Sequence, residues 1–201
     1  MILLIRHGET PGNASRVFQH PETPLSETGR AQAEQLARRL ARDGIHHILA
    51  SDYQRALETA RALERASGCA LETEPLLRER DFGALRGRPY AEIEADPFAA
   101  DFVPPGGEST GDFERRAARA WERILACRAA RPGPLAVVTH GLVCRALVQQ
   151  HARLGLDAGA LAFGNTSVTR IEAEPPFRVT LLGCTAHLSD ATASPRRAPG
   201  A

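Results

Sequence analysis

Two stretches constrain this chain more than any others: ILLIRHG at residues 2–8 and LAVVTHG at residues 135–141. Each is a continuously apolar run of strand length that stops at a histidine followed by a glycine. Uninterrupted apolar runs mark strands covered on both faces, and such strands belong to sheets flanked by helices. Further strand-length runs occur at 45–50, 70–73, 166–171 and 178–182. Between them the apolar spacing is helical. Ala33, Leu36, Ala37 and Leu40 form one stripe, with Ser26 suited to the N-cap and Gly44 to the stop. Ala56, Leu57, Ala60 and Leu63 form a second, with Ser51 or Asp52 as cap and Gly68 as terminator. Phe113, Ala117, Ala120, Trp121 and Ile124 form a third, ended by Pro132 and Gly133. A fourth helical stretch follows His140 directly. Strands alternating with helices predict an α/β fold with a mainly parallel sheet.

The 201 residues are 43% hydrophobic and 24% charged, an ordinary globular composition, and long enough to bury a core without staples. The reading is one domain over 1–201. The Pro- and Gly-rich segment 86–107 is an excursion from the core, and 188–201 an irregular C-terminal tail at the surface. A net charge of +1 gives no case for nucleic-acid or anionic-membrane binding, so an anion site has to be a local concentration of arginine. No run approaches the ~20 apolar residues of a membrane span, and no basic leader precedes residue 2. Cys69, Cys127, Cys144 and Cys184 form no CxxC pair, so zinc and redox motifs are not expected. Cys144 reads as core. The adjacent pair His46–His47 does not suggest a metal site, because neighbours in a strand point to opposite faces. The expectation is a reduced, cytoplasmic protein without metal or cofactor.

Ligands of open α/β sheets bind outside the carboxyl ends of the strands. His7 and His140 both fall there, Arg6 stands beside the first, and Arg55 opens the helix after a third strand. Gly8 and Gly141 remove a side chain where something approaches the backbone closely. Two arginines and two histidines at one point suit a doubly charged anion, and phosphate fits, because guanidinium offers bidentate donors. A neutral histidine is a good nucleophile toward phosphorus. A nearby glutamate with a raised pKa can give the leaving oxygen its proton.

LIRHGETPGN resembles the signature of the histidine phosphatase superfamily, also called the phosphoglycerate mutase-like family. PLSETGRAQAEQLARRL, SDYQRALETA, LRERDFGALRG, PGGES, VVTHGLVCRAL and GNTSVTRI resemble its successive blocks, in order and over nearly the whole chain. The resemblance implies a three-layer α/β/α sandwich with about six strands. It implies His7 as the nucleophile that becomes phosphohistidine. Arg6, Arg55 and His140 hold and stabilise the phosphoryl oxygens. Glu79, four residues before Gly83, is the proton donor and later the base for water. Thr10 and Asn13 line the phosphate pocket, and Gly141 and Leu142 count among the phosphate- and substrate-binding positions. No metal is required. Arg86 and Arg88 read as a solvated loop, and Arg145 as structural. Glu108 and Ser109 resemble an element bordering the pocket, although Ser109 equally suits the cap of the next helix.

The implied activity is a phosphomonoester hydrolase acting on a small phosphorylated metabolite. The alternatives are a phosphoglycerate mutase using 2,3-bisphosphoglycerate and a non-catalytic phosphate-binding module. Mutases of the family carry Asn where Leu142 stands, Tyr where Phe82 stands, and a long arginine-bearing insertion after the general-acid block. Here 90–105 is short and holds no Arg or Lys. The scarcity of aromatics (5%) offers no base- or sugar-binding signature.

Overall fold

The computed structural model describes residues 1–154, 161–189 and 192. Six strands build one sheet: β1 (Ile2–Arg6), β2 (His47–Ala50), β3 (Ala70–Thr73), β4 (Leu135–Thr139), β5 (Val168–Ile171) and β6 (Val179–Cys184). Their spatial order is β3-β2-β4-β1-β5-β6. The first four are mutually parallel, β5 runs antiparallel to β1, and β6 antiparallel to β5. Helices α1 (Pro11–Ala14), α2 (Glu27–Leu40), α3 (Gln54–Ser67), α4 (Thr110–Ala130) and α5 (Gly141–His151) complete the chain.

The strands β1 and β4 are apolar throughout because both faces are covered. Ile2 and Leu4 turn to one side, with Leu135, Val137, Leu49 and the apolar stripes of α4 and α5. Leu3 and Ile5 turn to the other, with Ala136, Val138, Ile48 and the stripes of α2 and α3. The result is the expected three-layer sandwich. The stripe residues Leu36, Ala56, Ala60, Ala117, Ala120 and Ile124 are fully buried.

The ends of the elements depart from expectation in instructive ways. Ser26 caps α2 by accepting the Gly29 N–H at 3.0 Å, as read from the sequence. That helix stops at Leu40, four residues before Gly44, which serves the following turn at φ 62°. Neither Ser51 nor Asp52 caps α3; Tyr53 takes the N-cap position with no side-chain bond. Ser51 and Asp52 have other partners, to which their side chains are committed: His140 and Arg78 respectively. Residues 166 and 167 lie outside β5, because Thr166 turns at φ 53° and breaks the extended backbone.

The tail expected over 188–201 lies largely outside the described residues. Its described part is held, not loose. Thr192 is buried, and its carbonyl accepts a hydrogen bond from the Gln32 side chain at 2.8 Å. The Gln32 Oε1 accepts the Glu9 N–H at 2.8 Å, so one amide joins the tail to the loop after β1.

That loop is pressed directly against α2. A Cβ at Gly8 would lie 2.6 Å from the Gly29 carbonyl oxygen, and a Cβ at Gly29 only 2.0 Å from that of Glu9. Backbone meets backbone here, with no flexible side chain to give way. Gly29→Ala is therefore expected to cost about 1–3 kcal/mol, read as a lower urea midpoint at unchanged m-value. An unchanged midpoint would show that the loop and helix can part freely.

Candidate active site

The parallel pairing of β1 with β4 aligns Arg6 with Thr139. The ladder continues one bond further, from the His7 N–H to the Thr139 carbonyl at 2.9 Å. His7 and His140 therefore leave the sheet side by side, with ring centroids 5.2 Å apart. Both are buried. The His7 Nδ1 lies 2.7 Å from the Gly8 carbonyl oxygen. A carbonyl only accepts, so the proton sits on Nδ1, and Nε2 carries the lone pair a nucleophile needs. The His7 carbonyl is held by Asn165 Nδ2 and the Thr166 N–H, both at 3.2 Å.

Arg55 comes from the first turn of α3 and is 3% exposed. Its NH1 donates to the His20 carbonyl at 3.0 Å, and its guanidinium lies 5.2 Å from the Tyr53 ring centroid. Burial, partly offset by Glu79, holds its pKa down to about 10, so it remains a cation at neutral pH. Arg6 anchors through NH1 to the Phe163 carbonyl at 2.6 Å. The His140 Nε2 is 2.8 Å from Ser51 Oγ. Ser51 Oγ also accepts the Tyr53 N–H and keeps a proton of its own to give. In the tautomer where it donates that proton to His140 Nε2, the His140 proton resides on Nδ1. That buried atom and the Arg55 Nε have no hydrogen-bond partner among the described residues.

Burial, reinforced by Arg55 and then Arg6, lowers the pKa of His7 well below its ordinary 6.5. Burial also dominates at His140, with Arg55, His7 and Arg6 adding to it. Both rings are neutral at neutral pH. The unfolded chain takes up protons near pH 6.5 that these two rings refuse, so stability falls as the pH drops below that value.

Glu79 follows β3 and reaches the same edge. Its Oε1 accepts the Arg80 N–H at 3.1 Å and its Oε2 the Leu142 N–H at 3.3 Å. Burial raises its pKa above 4.5 against the opposing pull of those two amides, Arg55 and Arg6. The loop carrying Glu79 is organised by Arg116. This guanidinium donates to the carbonyls of Leu76, Arg78 and Glu79 and pairs with both carboxylate oxygens of Glu108. Glu108 thus shapes the pocket through Arg116 and the Asp81 N–H, while Ser109 caps α4.

Thr10 and Asn13 form the turn after His7. Thr10 Oγ1 accepts the Asn13 N–H at 3.0 Å and donates to Gln19 Oε1 at 2.7 Å. Asn13 Oδ1 accepts from the Thr10 N–H and from Asn165 Nδ2. Gly141 and Leu142 open α5, whose N-terminus favours an anion. A Cβ at Gly141 would meet Arg6 Nε at an ordinary 3.5 Å, so that arginine does not demand glycine there. Arg86 pairs with Asp81 at 2.8 Å and is partly covered, whereas Arg88 is exposed.

Three supporting residues were not singled out by sequence reasoning. Ser51 was read as a cap, although its place at a strand tip was a usable signal. Asn165 lies in the GNTSVTRI block without having been assigned a part, and Arg116 carried no local signal. Composition also left unseen where the few aromatics gather. Phe18, Phe82, Tyr90 and Phe98 gather in one cluster, with centroid separations of 4.4–6.2 Å. Leu142 packs against its Phe18–Phe82 core.

The profile of the Histidine phosphatase superfamily (branch 1) matches residues 2–182. The chain belongs to the histidine phosphatase superfamily. A protein named probable phosphoglycerate mutase GpmB, from Yersinia pestis strain Pestoides F, is 34% identical, with 93% of this chain and 94% of that protein covered. Among solved structures, a mycobacterial glucosyl-3-phosphoglycerate phosphatase, with VO3, is 30% identical (TM-score 0.72; 85% of this chain and 90% of that one). YhfR of Bacillus stearothermophilus is 28% identical (TM-score 0.80; 92% and 98%). In this member of the superfamily, Ser51 holds the His140 ring through the Oγ–Nε2 contact. Ser51→Ala leaves a buried ring nitrogen unsatisfied, a loss of about 1–3 kcal/mol, so kcat/KM for phosphate ester turnover should fall roughly tenfold or more. The His140 15N shifts should also show the proton redistributing between the ring nitrogens. Unchanged shifts with unchanged turnover would remove Ser51 from this role.

Proposed function

We propose that the protein hydrolyses small phosphomonoesters through a phosphohistidine at His7. The observation that carries this reading is the Nδ1–Gly8 bond, which frees Nε2 of a neutral, buried His7 beside two arginines and a second histidine. In the first step Nε2 attacks phosphorus and the P–O bond to the alcohol breaks. Arg6, Arg55 and His140 Nδ1–H stabilise the equatorial oxygens, and Glu79 gives its proton to the departing alkoxide. In the second step Glu79, now a carboxylate, takes a proton from water as that water attacks phosphorus. The P–N bond breaks, and phosphate and neutral His7 result.

Hydrolysis is favoured over mutase chemistry by the make-up of segment 90–105. Segment 90–105 offers no cation to grip a glycerate carboxylate and instead carries Glu92, Glu94, Asp96 and Asp101. Leu142, whose N–H meets the proton donor, also packs on the aromatic cluster.

His7→Ala is expected to be folded and inactive, and wild type quenched during turnover of labelled substrate should carry an acid-labile phosphate on His7. Retention of wild-type turnover by His7→Ala would refute the scheme. Glu79→Gln should slow kcat/KM for an alkyl phosphate by ~10²-fold or more relative to p-nitrophenyl phosphate, whose leaving group needs no proton. Equal losses on both substrates would reduce Glu79 to a positioning role. Because the Glu79 pKa is raised, its acid form persists above pH 4.5. For the alkyl substrate, kcat/KM should decline as pH rises through that pKa, and Glu79→Gln should lose this limb. A limb that survives the substitution would mean that another group supplies the proton.

A further inference from the structure

At the opposite edge of the sheet, where β2 and β4 begin, three ligating side chains of different chemistry converge. His47 opens β2, Glu72 lies in β3, and Cys127 lies near the end of α4. One ligand atom from each falls within 4.8 Å of the others. The His47 Nε2 is 3.3 Å from Glu72 Oε2. Ligands at about 2.0–2.2 Å from a tetrahedral zinc are themselves about 3.4 Å apart, so this pair already has the spacing of two corners. His47 is 5% and Cys127 1% exposed. We propose that His47, Glu72 and Cys127 form a binding site for a borderline-soft divalent cation of the zinc class, separate from the phosphate pocket.

A guanidinium already occupies this point, and an entering metal ion has to displace it. Arg131 reaches both prospective ligands, with NH1 3.3 Å from Cys127 Sγ and NH2 3.5 Å from Glu72 Oε2. Its guanidinium bridges the thiol and carboxylate that a metal would join. The Arg131 side chain is 41% exposed, so it can swing into solvent when replaced. Arg123 stays on the far carboxylate oxygen of Glu72 and on Glu74, fixing the carboxylate without covering Oε2. On binding, the Cys127 thiol gives its proton to solvent, three protein ligands close on the metal, and water takes the fourth position. The ion would tie β2, β3 and α4 together. His46, the exposed neighbour, takes no part.

The test uses the intact protein and cobalt(II) as probe. Titration should produce a thiolate-to-cobalt charge-transfer band saturating at one ion per chain and abolished by added zinc. Zinc should also raise the thermal midpoint. Cys127→Ser should lose the band, and His47→Gln, which keeps a partner for Glu72, should weaken binding at least tenfold. Arg131→Gln should tighten it about tenfold or more, because a competing cation has been removed. Absence of the band from both wild type and Arg131→Gln would overturn the proposal. So would a band that persists in Cys127→Ser.

Discussion

The structure depends on the side-by-side parallel pairing of β1 and β4. Their register places Arg6 opposite Thr139, and the next residue on each strand is a histidine. Because the His7 N–H extends the ladder by one bond to the Thr139 carbonyl, the nucleophile is positioned by backbone before any side chain is considered. Both strands are covered on both faces by the α2–α3 and α4–α5 layers. A displacement of either strand would disturb two hydrophobic cores at once, so the two imidazoles inherit the rigidity of the whole sandwich. Arg55 arrives by the same logic from β2, the neighbour of β4 on the other side.

The site stores unfavourable electrostatics. Two guanidiniums and two imidazoles share a buried space, and the lowered pKa values of His7, His140 and Arg55 express the cost. In the proposed reaction a dianionic phosphoryl group would relieve that cost by bringing acceptors for the His140 Nδ1 and Arg55 Nε, which have no partner among the described residues. The same cations oppose protonation of Glu79, yet burial of its carboxyl outweighs them. His7 and Glu79, the proposed nucleophile and acid, thus reach opposite protonation tendencies from one shared cause, withdrawal from water.

The layers and the strand tips were legible in the sequence because both arise from local pattern. Period and run length revealed the strands, and Ser26, Gly68 and Ser109 marked helix ends where their short-range chemistry sufficed. What was not legible rests on contacts remote in sequence. Ser51 looked like a cap because capping is the local use of a serine there, and only β4 beside it supplies His140 as a partner. Arg116 clasps a loop some forty residues away, and nothing around it in the chain distinguishes it from its neighbour Arg115, which stays on the surface. Composition concealed the aromatic cluster, since few rings matter greatly when they gather at one place.

The Gln32 side chain spans two parts of the molecule that otherwise have little in common. One end of its amide holds the Glu9 N–H, two residues from the nucleophile, and the other holds the Thr192 carbonyl. Tension applied to the chain at Thr192 is therefore shared between Gln35, which accepts from the Thr192 hydroxyl, and the Gln32 amide, which leads to the turn after His7. A pull that reaches Thr192 would act as a lever on that turn. Immobilisation through an exposed position of α4, such as Arg115, would leave that lever untouched.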